Sequence, residues 1–216
     1  MPFLQDRYDS PWACARGQAP FHELIELREM APPFMRHLSE AAQATANLAI
    51  FDPHELEIIF VEQIDSPTEV QIRLRIGKRV SPHTTAVGEV LFAHLDSVPA
   101  AEMLKEHGMP RITKHTITDS AQFARTLEMA KVRGYATDHE EAAEGACCIG
   151  APVRNHKGDV VAAISISMMA ARVGRQGEAR LASLVKAAAA DISRALGCQG
   201  KGPALQNQFV QKKAAR

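Results

Sequence analysis

Hydrophobic and polar positions change period several times along the chain, and each change marks an element. From Phe21 the apolar residues Leu24, Ile25 and Met30 predict a helix, which Pro32 and Pro33 must end or restart. Phe34, Leu38, Ala41 and Ala42 predict a second helical stripe. After Thr45 the period shortens. Asn47–Phe51 reads as a strand, Asp52-Pro53-His54 as a turn and Glu57–Ile64 as another strand. Val70, Ile72, Leu74 and Ile76 then alternate with Gln71, Arg73 and Arg75, the pattern of a half-buried strand.

Helical spacing returns over Thr84–Leu95, with Val87, Val90, Leu91, His94 and Leu95 on one side, and Pro99 starts a short helix through Lys105. Asp119 is an N-cap with Gln122 three residues on, followed by the apolar face Phe123, Leu127 and Ala130 and by Gly134 as a stop. A hairpin follows, with strands Ala146–Arg154 and Asp159–Ser167 joined by Asn155-His-Lys-Gly158. The last helix runs from about Gly177 to Leu196 on a stripe of Leu181, Leu184, Val185, Ala188 and Ile192, with Gly197 at its C′ position. Antiparallel pairs with segregated helices predict an α+β domain. Its expected extent is 21–197, with residues 1–20 as a leader and 198–216 as a basic, disordered tail.

Composition narrows the function. The 216 residues carry 25 basic and 25 acidic side chains, so the formal charge is zero, and 46% are hydrophobic. That balance opposes a dedicated nucleic-acid binder, whose affinity rests on excess Lys and Arg. No apolar run approaches the ~20 residues of a membrane span, and no secretory signal is present. The four cysteines, Cys14, Cys147, Cys148 and Cys198, form no CxxC pair. Free thiols in a reducing cytoplasm are expected, with Cys147 and Cys148 pointing to opposite faces of their strand.

Candidate chemistry is sparse. The sequence lacks a phosphate-binding P-loop, a dinucleotide fingerprint, an HExxH helix and a GxSxG elbow. In the last strand, Val161, Ala163, Ser165 and Ser167 share one face, and Ala162, Ile164 and Ile166 the other. The small face, with Cys148 on the partner strand, forms either a shallow polar pocket floor or a surface that is exposed or covered by a helix. The start of the helix after Ser81-Pro-His-Thr-Thr-Ala-Val-Gly88 offers backbone N–H groups to an anion, or is simply capped. Asp138-His-Glu-Glu141 has one His among acids and reads as a solvated loop, not a metal site. Arg73, Arg75, Lys78 and Arg79 form a basic patch that either steers an anion or is a solvated strand face.

These segments occur in a familiar order: His83-Thr-Thr-Ala-Val-Gly88-Glu-Val-Leu, Thr116-Ile-Thr-Asp119, Arg133-Gly-Tyr135-Ala-Thr-Asp138-His-Glu-Glu141, Gly145-Ala-Cys-Cys-Ile-Gly-Ala-Pro152-Val and Val161-Ala-Ala-Ile-Ser165-Ile-Ser167, preceded by Arg73-Leu-Arg-Ile-Gly77-Lys-Arg-Val. Together, from about Leu24 to Leu196, they resemble the C-terminal effector-binding domain of IclR-type bacterial transcriptional regulators. The resemblance implies a GAF/profilin-like fold, a curved antiparallel sheet with flanking helices. It also implies a pocket for a small organic acid at Ala86, Val87, Asp138, Cys148, Ser165 and Ser167. It makes residues 1–20 the remnant of a linker after a winged helix-turn-helix domain that this chain lacks, with Tyr8 at the end of the lost wing. Three positions depart from the family pattern: Glu89 stands where Lys is usual, Val87 is larger than in glyoxylate sensors, and Cys147 replaces a common Arg.

Two functions are compatible with these residues. The first is a sensor module that forms homodimers or homotetramers and binds no DNA alone, or that pairs with full-length relatives. The second is an enzyme on the same fold, with Cys148 as nucleophile, His83 or His139 as base and Asp138 as orienter. Neither calls for a cofactor.

Overall fold

The computed structural model describes residues 21–199 apart from 70, 73 and 96–99. The expected leader, and the tail beyond residue 199, lie outside the described residues. Nine of the predicted elements recur within a residue or two, beginning with helices α1 (Phe21–Met30) and α2 (Pro32–Ala42), which Pro32 and Pro33 separate.

Six strands form one antiparallel sheet in the order β3-β2-β1-β6-β5-β4, curled into a half-barrel. They are β1 (Thr45–Asp52), β2 (Glu57–Ile64), β3 (Arg79–Val80), β4 (Ala136–His139), β5 (Ala146–Arg154) and β6 (Val160–Met169). One face buries Leu48, Ile149, Val153, Ile164 and Ile166 against α1, α2 and the long helix α7 (Glu178–Ala195). Helix α6 (Ala170–Gln176), absent from the sequence expectation, links β6 to α7. The other face carries α3 (Ala86–Phe92), α4 (Ala100–His107) and α5 (Ser120–Arg133). Each sheet face therefore has its own hydrophobic core.

Local chemistry explains the turns and caps. The Asn155 side chain accepts the N–H groups of Lys157 and Asp159, and Gly158 takes a positive φ of 86°, closing the β5–β6 hairpin. Asp119 caps α5 by accepting the Gln122 N–H at 2.7 Å. Phe123, Leu127 and Ala130 are the buried residues of that helix, as its spacing predicts.

Four expectations need correction. The described residues of 70–76 form no strand: Ile76 is exposed, and side chains replace the ladder, with Gln63 accepting the Leu74 N–H. Arg79, in the presumed basic patch, is tied to Asp52 and Glu57 at 2.8 and 3.2 Å, whereas Arg73 lies outside the described residues. The predicted helix Thr84–Leu95 is divided into a 3₁₀ turn, Pro82–Thr84, and the shorter α3. Its one-sided stripe gives way to burial all round, Glu89 included. In β6 a bulge sets Ala162 against Val153 and Val160 against Arg154, leaving Val161 unpaired. Val160, not Val161, consequently joins the core around Ala163.

Two glycines permit close backbone packing around α3, Gly88 against the 3₁₀ turn that precedes the helix and Gly150 beneath the helix start. A Cβ on Gly88 would lie 2.1 Å from the Pro82 carbonyl oxygen, and one on Gly150 of β5 would lie 3.1 Å from the Ala86 carbonyl carbon. Gly88→Ala is expected to cost about 2–3 kcal/mol, because backbone must move to admit the methyl. Gly174→Ala, in α6 with open space around it, should be neutral or stabilising by up to ~1 kcal/mol. Denaturant unfolding of the two variants checks the contrast.

Candidate functional site

The face of the sheet beneath α3 is apolar at one end and polar at the other. Towards β2 it is lined by Ala49, Phe51, Ile58 and Phe60, with the Phe51 and Phe92 rings edge to face at 4.9 Å. Towards β4 the same face carries Thr45 and Asn47 on β1, Ser165 and Ser167 on β6, Cys148 and Gly150 on β5 and Asp138 on β4. Cross-strand pairing aligns them: Asn47 opposes Ser165, Ser165 opposes Gly150, Cys148 opposes Ser167 and Asp138 opposes Cys148.

Hydrogen bonds join this row. The Asn47 amide donates to the Ser167 hydroxyl at 3.0 Å, and the Cys148 sulfur lies 3.2 Å from that hydroxyl. Ser165 and Ser167 are each 2% exposed and Asp138 is 1% exposed. The small face of β6 is thus not solvated, and α3 covers it. Ala86 and Val87, the first residues of α3, are buried over Gly150. Thr85 caps the helix by accepting the Gly88 N–H at 3.1 Å. The structure brings together all six residues singled out from the sequence: Ala86, Val87, Asp138, Cys148, Ser165 and Ser167.

The acids around Asp138 behave differently from expectation. Asp138 and Glu141 do not belong to a solvated loop: both are buried, and Asp138 accepts the Glu141 N–H at 2.7 Å. Thr113 and Thr116 hold the loop by donating to the carbonyls of Glu140 and Glu141 at 2.7 and 2.8 Å. A third acid joins them from above, since Glu89 of α3 is 1% exposed and feels the charges of both Glu141 and Asp138. Both Glu89 carboxylate oxygens, Asp138 Oδ2, Glu141 Oε2, Asn47 Oδ1 and Thr45 Oγ1 are buried without a hydrogen-bond partner. Burial, the largest cause, raises all three acids, and their mutual repulsion adds to it for Glu89 and Glu141. Asp138 is raised to about 6 and Glu141 to about 8, while Glu89 is raised well above the ordinary carboxyl range.

The sequence reading missed Thr45, Asn47, Glu89 and Glu141 as members of this site. For Thr45 and Asn47 a signal existed: polar residues at alternate positions of a strand whose remaining residues are apolar. Glu89 stood out only as a departure from the family pattern. Glu141 lies in an acidic run that reads as a solvated loop, because its burial depends on the fold of the 140–145 loop.

Nucleophilic chemistry finds little support in this geometry. Burial, then the nearby Asp138 carboxyl, pushes the Cys148 thiol well above its ordinary value. His139 sits opposite Cys147, 3.7 Å from its sulfur, and pairs with Glu178 of α7 at 3.5 Å on the far side of the sheet. The Cys147 thiol is itself pushed up to about 12, chiefly by burial. His83 turns Nε2 to the Pro110 carbonyl at 3.1 Å, and desolvation lowers its pKa. Neither hydrogen bond reaches Cys148. Among the described residues, no group of three or more His, Cys, Asp or Glu side chains converges in a way that could hold a metal ion.

The carboxyls set a pH dependence of stability. Each holds its proton to higher pH when folded than when unfolded, where carboxyls titrate near ~4. Their favourable contribution is therefore complete below about pH 4 and is lost as pH rises through about 6 for Asp138 and about 8 for Glu141. Glu141→Gln should match the parent at pH 5 and exceed it at pH 9, by on the order of 2 kcal/mol. Thermal unfolding at both pH values checks this, and equal differences at the two would contradict it.

Comparison with known proteins agrees with the fold. Residues 22–194 match the family model described as Bacterial transcriptional regulator IclR C-terminal. The chain is 33% identical over 173 residues to the HTH-type transcriptional regulator KdgR of Dickeya chrysanthemi, covering 80% of this chain and 56% of that protein. It therefore spans little more than half of that relative. The C-terminal domain of the Escherichia coli regulator KdgR superposes with a TM-score of 0.70 at 31% identity, covering 80% of this chain and 99% of that one. The inducer-binding domain of PobR from Acinetobacter, a double mutant solved with 3-hydroxybenzoic acid, superposes at 0.69 with 26% identity, covering 76% and 96%. With its buried polar floor, its curled sheet and a family match over most of its length, the chain belongs to the IclR C-terminal family of bacterial transcriptional regulators.

Proposed function

We propose that this chain is an effector-sensing module and that it binds a small organic acid between α3 and the polar floor. The floor carries the proposal: a buried, hydrogen-bonded row of polar side chains on a sheet face that is otherwise apolar. Ser167 accepts from Asn47 and can accept from the Cys148 thiol, an arrangement that leaves its own O–H to donate outward, and Ser165 lies on the same face. The backbone at the start of α3, including the Val87 nitrogen, passes over Gly150, which has no side chain. Such donors suit a carboxylate, which accepts without donating. The related PobR domain, solved with an aromatic acid, supports this ligand class. The role is binding, not catalysis, since the relatives are transcription regulators and the Cys148 thiol is held protonated.

The same reading has the chain self-associate as a homodimer or homotetramer, or pair with full-length relatives, and bind no DNA alone. It places the chain in the cytoplasm. Among the described residues, no helix is long and apolar enough to cross a membrane.

A thermal-shift screen of keto, hydroxy and aromatic acids tests the reading. A true effector at 100-fold its dissociation constant adds about 2.7 kcal/mol of stability. Replacing Ser165 and Ser167 together by Ala removes two donors to a charged group, at about 1.5–3 kcal/mol each, so affinity should fall at least roughly a hundredfold. An unchanged affinity in the double variant, with folding intact by circular dichroism, would place the site elsewhere.

A further inference from the structure

The two ends of the polar floor have opposite chemistry. The β6–β1 end offers donors, from Ser165, Ser167 and the Asn47 amide. The β4 end offers acceptors in excess. Asp138 of β4 accepts the Glu141 N–H at 2.7 Å, Glu89 lies on α3, which packs against β4, and four of the carboxylate oxygens of these three acids are buried without a partner. No hydrogen bond between two of these carboxyls relieves the crowding. Outside the acid cluster, Asn47 Oδ1 and Thr45 Oγ1, on residues of zero exposure on the same sheet face, also lack partners. A folded chain rarely leaves so many buried polar atoms unsatisfied in one place. Something that brings donors completes the set.

The chemistry of that group follows from the shortage. A hydroxyl brings one donor and no charge. A protonated amine brings three donors and a positive charge. When ionised, three neighbouring acids lack both, and among the described residues no Lys or Arg is paired with any of them. A metal ion is a poorer fit, because these side chains do not converge to a coordination geometry. Resting on the organic-acid reading above, we propose that Glu89, Asp138 and Glu141 form a subsite for a protonated amine, so that the effector of this chain is amphoteric, with its carboxylate at Ser165 and Ser167. Asp138 and Ser167 stand on strands two apart, about 10 Å between their backbones. Their side chains narrow that gap to a span that a short ω-amino acid can bridge.

Three matched four-carbon probes test the subsite: 4-aminobutyrate, butyrate and n-butylamine. Their affinities for the whole chain are measured by calorimetry or thermal shift at pH 7. Binding of 4-aminobutyrate at least tenfold tighter than butyrate is expected. That preference should collapse towards unity in Glu89→Gln and, if this variant folds poorly, in Glu141→Gln. The expected result in the Ser165→Ala, Ser167→Ala double variant is different: 4-aminobutyrate weakens towards n-butylamine. Butyrate binding as tightly as 4-aminobutyrate in the parent overturns the amine subsite and leaves the organic-acid reading standing. Binding of n-butylamine alone, weakened by Glu89→Gln, upholds the subsite and removes the organic-acid reading. No binding of any probe overturns the amine subsite.

Discussion

Everything at this site depends on how closely α3 lies against the sheet. Gly150 on β5 lets the Ala86–Val87 backbone rest on the strand where a Cβ would crowd it, and Gly88 lets the helix pack against the Pro82 turn that precedes it. That contact excludes water from the sheet face beneath. Once water is excluded, every polar atom there must find a partner in the protein or in a ligand. The hydroxyl of Ser167 and the thiol of Cys148 find each other, whereas the three acids, Asn47 and Thr45 keep buried oxygens without a partner. The same seat buries Glu89 from above, which no packing argument for a helix on an apolar core would favour.

The electrostatics follow from that burial. Water would hold Asp138 and Glu141 ionised at neutral pH, whereas desolvation lets them keep protons towards pH 6 and 8. Desolvation acts on Cys148 as well, but there it silences a nucleophile. One physical term thus favours a receptor over a catalyst: it strengthens hydrogen bonding to a ligand and withholds the thiolate that covalent chemistry needs. The family relationship points the same way.

The two faces of the sheet show why a helix-sheet-helix arrangement suits a sensor. The face under α1, α2 and α7 is continuously apolar and supplies stability. The face under α3, α4 and α5 gives up part of its core to polar groups. That sacrifice is tolerable because the opposite core holds the strands in register. β5 and β6 carry both roles at once: Ile149, Ile164 and Ile166 face the structural core, while Cys148, Ser165 and Ser167 face the site.

Much of this was legible along the chain. Period and capping defined α5 and α7, and turn chemistry defined the β5–β6 hairpin. Strand alternation put Ser165 and Ser167 on one face, because a two-residue period leaves no other choice. The hairpin pattern put Cys148 on the strand beside them, and the resemblance carried the positions of Ala86, Val87 and Asp138. Other features depend on contacts distant in sequence, and local pattern cannot encode them. The four-residue β4 exists only because β5 pairs with it. The 70–76 segment alternates like a strand, yet the Gln63 side chain takes a hydrogen bond that a ladder would need. The bulge at Val161 shifts the pattern by one residue, a change that only the partner strand reveals. Residue order thus determined the elements and half of the floor. The tertiary structure decided the acid end, because the burial of Glu89 and Glu141 is a property of what packs over them and not of their own neighbours in the chain.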